Sequence, residues 1–267
     1  MFSRTILADK HSESIATHQR IVRAARRQTL EYLPQRIYVP SAKHITHFEG
    51  KNGPDGLADK HSTGDYPEEY VEPHNNNGQL FTDIRNFSHK IRVAAKRRDY
   101  VSMAFNMAWL EHIVVDGMTP PHHRPYKEQV DRIDPREREE MNSRFKRIFT
   151  PGNNPLEMLM NNWKLVGPGG ISTNHILFEA GIDFIMMPLS PKRLIGEISK
   201  EELKAVRSGK FLRLYDKSIH RIYKLEYFDR YEAAGWTSEL AADVREVLLP
   251  ECVKMVSLAW LAAIPRK

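Results

Sequence analysis

Apolar residues in this chain recur three and four apart almost everywhere and alternate almost nowhere. Side chains repeat every 3.6 residues on a helix and every 2 on a strand, so this pattern constrains the fold more than any other feature. From Ser12 to Leu33 the apolar positions are Ile15, Ile21, Val22, Ala25, Leu30 and Leu33. Pro34, which lacks an amide proton, stops the run. The period resumes at Leu80 through Ile84, Phe87, Ile91, Ala94 and Ala95, and again from Tyr100 to Asp116, where Gly117, Thr119, Pro120 and Pro121 end it. The spacing predicts an acid- and base-rich helix over 135–149 and another over 156–164. A further helix is predicted from the capping run Ser172-Thr173-Asn174 through Met187, with three or four more from Ser199 to the apolar Met255–Ile264 stretch. The expected fold is all-α: a single compact multi-helix domain, with residues 1–190 as its main body and 191–267 as a helical C-terminal extension packed on it. Residues 34–78 differ, with prolines at 34, 40, 54, 67 and 73 and the triplet Asn75-Asn76-Asn77. A loop this long within a compact domain is typically functional, and an ordered loop is expected here.

Composition then limits the chemistry. There are 12 histidines but one cysteine, Cys252. A lone cysteine makes neither an internal disulfide nor a thiolate zinc finger, so any metal site must use imidazole and carboxylate. No segment approaches the roughly 20 consecutive apolar residues of a membrane span. The first residues are too short for a secretory apolar region, so the expected location is cytoplasmic. The formal charge of +6 favours anionic partners in general without separating nucleic acid from lipid headgroups.

The informative segment reads Trp109-Leu-Glu-His112-Ile-Val-Val-Asp116-Gly-Met-Thr-Pro120-Pro-His122-His123. Residues four apart on a helix share a face, which lets His112 and Asp116 present an imidazole and a carboxylate to one ion. The glycine and prolines turn the chain, so that His122 can return beside them. The bare His-x-x-x-acid pair is cheap, expected about 1.5 times in this composition by chance. It occurs three times, at His61/Asp65, His112/Asp116 and His175/Glu179. Adding a proline four residues after the acid and a histidine two further lowers the chance expectation to about 0.004.

His112-x-x-x-Asp116-x-x-x-Pro120-x-His122, followed by His175-Ile-Leu-Phe-Glu179, resembles the core motif of the zinc-dependent bacterial phospholipases C and the related single-strand-specific nucleases. Ala8-Asp9-Lys10-His11, with Thr17-His18 and Ile21-Val22, is similar to the opening of those phospholipases. The resemblance covers roughly residues 8–33 and 80–185, and it implies an all-helical phosphodiesterase with one to three zinc ions. It implies one zinc on His122, His175 and Glu179. A second would use His112 and Asp116 with ligands from the 34–78 loop, and a third would use His18 with Asp116 bridging. From the loop it implies a histidine followed by an aromatic residue, matched best by His47-Phe48, and a key acid where this chain has Glu69. Glu49 and Asp55 are candidate catalytic acids, and the choice between them stays open. The family's N-terminal tryptophan has no counterpart near Thr5. The implied substrate is a phosphodiester, either a lipid headgroup or a nucleic acid.

Two other classes fit the same residues. A non-catalytic relative would keep a structural zinc and act as a binding or interaction protein. A metal-free helical nucleic-acid-binding module would show steep salt dependence and indifference to chelators.

Overall fold

The computed structural model describes residues 17–49, 52–54, 78–124, 126–133 and 150–266. Among them every regular element is helical and no strand occurs, so the all-α expectation holds. The predicted helix over 135–149 lies outside the described residues.

The element that organises the molecule is α4 (Tyr100–Asp116), fourth after α1 (Thr17–Glu31), α2 (Ala42–Thr46) and α3 (Gln79–Arg97). From Met103 onward α4 is buried on almost every side, as expected of a helix whose apolar residues are not confined to one stripe. Its start is well specified. Arg98 ends α3 in the left-handed conformation at φ 57°, and the Asp99 carboxylate accepts the Ser102 amide at 3.0 Å as the N-cap of α4. This two-residue link folds α4 back along α3.

Downstream lie α5 (Tyr126–Ile133), α6 (Pro155–Val166), α7 (Ile171–Met186), α8 (Lys200–Arg207), α9 (Phe211–Tyr223), α10 (Tyr227–Ala234), α11 (Ser238–Asp243) and α12 (Leu249–Ala263). Two features differ from the sequence expectation. The 34–78 segment contains α2, nucleated by the Ser41 hydroxyl accepting the His44 amide. Helix α7 begins at Ile171 rather than after Asn174: the Gly170 amide donates to the Gly167 carbonyl to close the preceding turn, and the Gly170 carbonyl accepts the Asn174 amide as the first helical bond, with no side-chain cap.

The last helix is central. Residues of α12 are buried along its length and pack on α1, α3 and α4, so one hydrophobic core runs from Ile21 to Ile264. Helix α11 continues into α12 through a single π turn at Val244–Leu248, where Leu249 donates to the Val244 carbonyl five residues back. The wider turn accommodates Pro250, which has no amide to give and whose ring needs room against the preceding turn. Cys252 sits buried in this helix, where burial pushes its thiol up and leaves it inert. Trp260 is fully buried, and its indole N–H donates to the Met107 carbonyl of α4 at 3.1 Å. Trp260→Ala is expected to cost about 3–5 kcal/mol in a urea unfolding experiment, because it removes the largest fully buried side chain. No helix among the described residues is long and apolar enough to cross a membrane.

Candidate metal centre

Glu111, His112 and Asp116 interrupt the apolar surface of α4 near its C-terminal end, and each is at most 2% exposed. Burying three ionisable groups in one helix is costly unless they are paired. Their first partner comes from the opening turn of α1, where His18 is also fully buried. The His18 and His112 rings stack, with centroids 4.5 Å apart and planes 14° from parallel. His18 Nε2 lies 3.2 Å from Asp116 Oδ1, and His112 Nε2 lies 3.1 Å from Asp116 Oδ2. One carboxylate therefore serves two imidazoles, one oxygen each.

The opposite ring edges face glutamates. His18 Nδ1 lies 3.3 and 3.2 Å from the two oxygens of Glu111, and His112 Nδ1 lies 3.5 Å from Glu49 Oε2. Glu49 reaches this place because α2 packs on α4: Ile45 is buried, and Phe48 meets Phe105 edge-on at 5.4 Å between ring centroids. Its backbone is also confined by Gly53, where a Cβ would stand 2.6 Å from the Phe48 carbonyl oxygen and 2.7 Å from Glu49 Cα. Both Glu49 carboxylate oxygens are buried and, among the described residues, accept no hydrogen bond.

The turn after Asp116 carries the chain to a second group. Thr119 returns its amide to the Asp116 carbonyl at 2.9 Å and its hydroxyl to the Val115 carbonyl at 2.9 Å, and His122 donates its amide to the Thr119 carbonyl at 2.9 Å. Gly117 is required here, since a Cβ would collide with the Tyr215 hydroxyl and stand 2.8 Å from Leu80. His122 then meets the i,i+4 pair of α7. Its Nε2 is 3.2 Å and that of His175 3.1 Å from the same Glu179 oxygen, with the two rings edge-on at 4.9 Å. His122 and Glu179 are buried, whereas the His175 side chain keeps 15% of its surface, so this group opens on that side.

Among the described residues, three sets of donor atoms lie close enough to hold a metal ion: His18/His112/Asp116, His122/His175/Glu179 and His18/Glu49/Glu111. The metal-free electrostatics fit that chemistry. Burial opposes ionisation of Asp116 and Glu179, yet surrounding positive charge, to which the imidazoles beside each contribute, holds the carboxyls well below their usual range. Burial alone would lower His18, but the Glu111 and Asp116 carboxylates outweigh it and raise the ring to about 10. Burial, eased by His18, pushes Glu111 up to about 8. A group whose folded pKa exceeds its unfolded one stabilises the fold below the unfolded value and loses that contribution as pH rises through the folded value. The chelator-stripped protein is therefore expected to show a falling urea midpoint from near the ordinary 6.5 of histidine up to about 10. A midpoint flat or rising across that window contradicts the His18 environment.

The structure brings together His18, His112, Asp116, His122, His175 and Glu179, and places Glu49 against His112. It does not bring His47 to either group. That residue is exposed at the end of α2, with its ring against Phe48. Asp55 and Glu69 lie outside the described residues. The sequence reading missed Glu111, whose signal is an acid inside an otherwise apolar run. It also missed Asp183, four residues beyond Glu179, whose carboxylate accepts the Thr17 amide at 3.0 Å and the Thr17 hydroxyl. Asp183 thus caps α1 next to His18 and ties the two groups together, a placement favoured by the positive end of the helix. Comparison of the chain with protein-family models, with curated proteins and with solved structures finds no match.

Proposed function

We propose that the chain is a zinc-dependent phosphodiester hydrolase, with one ion on His122, His175 and Glu179 and further ions at the His18/His112/Asp116 group. One observation carries this reading: residues far apart in sequence converge on two buried imidazole–carboxylate groups, and Asp116 is shared between two imidazoles. Without thiolates, the donor set suits zinc and similar borderline divalent ions. The buried carboxylate of Glu49 adds negative charge that cations would balance. When bound, such ions supply Lewis-acid polarisation of the phosphoryl group and acidify a water nucleophile.

The chain's own residues do the rest. Asp116 fixes the separation of the two histidine-bearing helices, and the Thr119–His122 turn sets the distance between the groups. The partly open side at His175 admits substrate, and the apolar walls exclude bulk water elsewhere. The helix that carries His175 and Glu179 also exposes Ile176, Leu177 and Phe184, and its neighbour α6 exposes Leu156, Leu159, Met160 and Trp163. That much exposed apolar surface beside a half-open site favours a lipid headgroup over nucleic acid as the source of the phosphodiester.

The test is zinc per chain by elemental analysis, with chelator-sensitive turnover of a soluble chromogenic phosphodiester and of phospholipid vesicles. More than one zinc with turnover abolished by chelator and restored by zinc supports the reading. Zinc-free protein sinks it, and one zinc without turnover assigns a structural metal instead. Cleavage of single-stranded nucleic acid in place of vesicles overturns the lipid assignment alone.

A further inference from the structure

The two stacked histidines are related by more than their shared aspartate. Each turns Nε2 toward Asp116 and Nδ1 toward a buried glutamate: Glu111 lies within hydrogen-bond distance behind His18, and Glu49 makes a longer charge contact of 3.5 Å behind His112. An imidazole that gives one nitrogen to a metal must keep its proton on the other. A carboxylate behind that N–H fixes the tautomer, holds the ring plane and raises the ligand's basicity. We propose that Glu49 and Glu111 are a matched pair of positioning carboxylates, holding His112 and His18 as Nδ1–H tautomers whose Nε2 atoms are presented to metal beside Asp116. This inference rests on the metal-binding part of the proposed function and deepens it.

Two alternatives for these glutamates explain less. If Glu49 were the base acting on substrate, it would need access to solvent or ligand, but its side chain is fully buried behind the His112 ring. If Glu49, Glu111 and His18 held an ion of their own, His18 would have to serve two ions through both nitrogens, and the contact between Glu49 and His112 Nδ1 would be left without a role. The positioning role accounts for both contacts with one principle. It also accounts for the confinement of Glu49 by Gly53 and by the Phe48–Phe105 contact, since an orienting carboxylate works only when its own backbone is fixed.

The test compares wild type with Glu111→Gln and Glu49→Gln, which keep shape and remove charge. Zinc stoichiometry is measured by elemental analysis, zinc affinity by competition with a chromogenic chelator, and the ligand field by the visible spectrum of the cobalt-loaded proteins. Both variants are expected to keep the wild-type ion count, to bind the ion at His18/His112/Asp116 roughly 10- to 100-fold more weakly, and to shift part of the cobalt spectrum. The ion at His122/His175/Glu179 should be retained at wild-type affinity. Loss of one ion per chain in either variant would make the glutamates ligands and overturn the proposal. So would affinities within about twofold of wild type.

If a variant does not fold, nitrogen-15 correlation spectra of the zinc-loaded wild type decide the matter. Nδ1 protonated and Nε2 ligated on both His18 and His112 is the expected pattern, and a metal-ligated Nδ1 on either ring overturns it. Wild type that binds no zinc defeats both this inference and the proposed function. Wild type that binds zinc with unaffected variants defeats this inference alone. The expected affinities without any phosphodiester turnover would leave it standing while the hydrolase reading falls.

Discussion

Asp116→Asn is expected to strip metal from both stacked histidines at once and to lower phosphodiester turnover by about 10³-fold or more, several kcal/mol of transition-state stabilisation. The size follows from sharing. Asp116 offers Oδ1 to His18 and Oδ2 to His112, and among the described residues no second carboxylate stands on that edge of either ring to take over. An asparagine keeps the volume but loses the charge, and it offers one acceptor oxygen where the carboxylate offers two. In the metal-free protein the same change leaves His18 protonated without one of the two carboxylates that hold it so. Breaking a buried pair of this kind costs about 3–5 kcal/mol. Zinc content, turnover and urea midpoints measured together separate the two effects. Metal content should fall at the shared group while His122, His175 and Glu179 keep their ion. A variant with full metal content and near-normal turnover would show that Asp116 pairs with the histidines for stability alone.

What the sequence reveals about this site divides along a physical line. Contacts set within one helical turn were readable, because four-residue spacing alone brings His112 to Asp116 and His175 to Glu179. The turn after Asp116 was readable too, since Gly117 and the prolines end the helix, but His122 does not return to His112 and Asp116: it joins Glu179 and His175 in the second group. Contacts that depend on how helices rotate against one another were not. Glu111 sits one residue from His112, about 100° around the helix, and only the seating of α1 turns that face into a second half of the site. His47 and Glu49 show the same limit in the loop. Motif similarity selects His47, but the turn formed by α2 and the residues after it puts Ile45 and Glu49 four apart on the inward face and leaves His47 outside. Periodicity likewise gave the helices and the apolar run near Met255, but not the place of α12 at the centre of the core. That place depends on packing against α1 and α4, more than a hundred residues earlier. Asp183 has no local signal at all, since its role exists only where α7 meets the first amide of α1.

The adjacent residues His122 and His123 supply the second large expected effect, because the same short helical turn gives them opposite roles. His122 faces Glu179 and His175 and is the only member of that group carried by the turn rather than by α7. His122→Ala should therefore remove one zinc per chain and reduce turnover by about 10³-fold or more, since a site of one imidazole and one carboxylate, half open to water, competes poorly for a divalent ion. His123 points the other way. Burial pulls its pKa down to about 4, so the ring is neutral at working pH, and its Nε2–H donates to the Gly117 carbonyl at 3.0 Å, closing the turn that places His122. His123→Ala should lower the unfolding midpoint and loosen zinc at the neighbouring group without removing it, and added zinc should recover most of the activity. For His122→Ala, added zinc should recover little. If excess zinc rescued His122→Ala as fully as His123→Ala, the imidazole of His122 would be a packing group like its neighbour, and the metal site on α7 would have to be rebuilt from other donors.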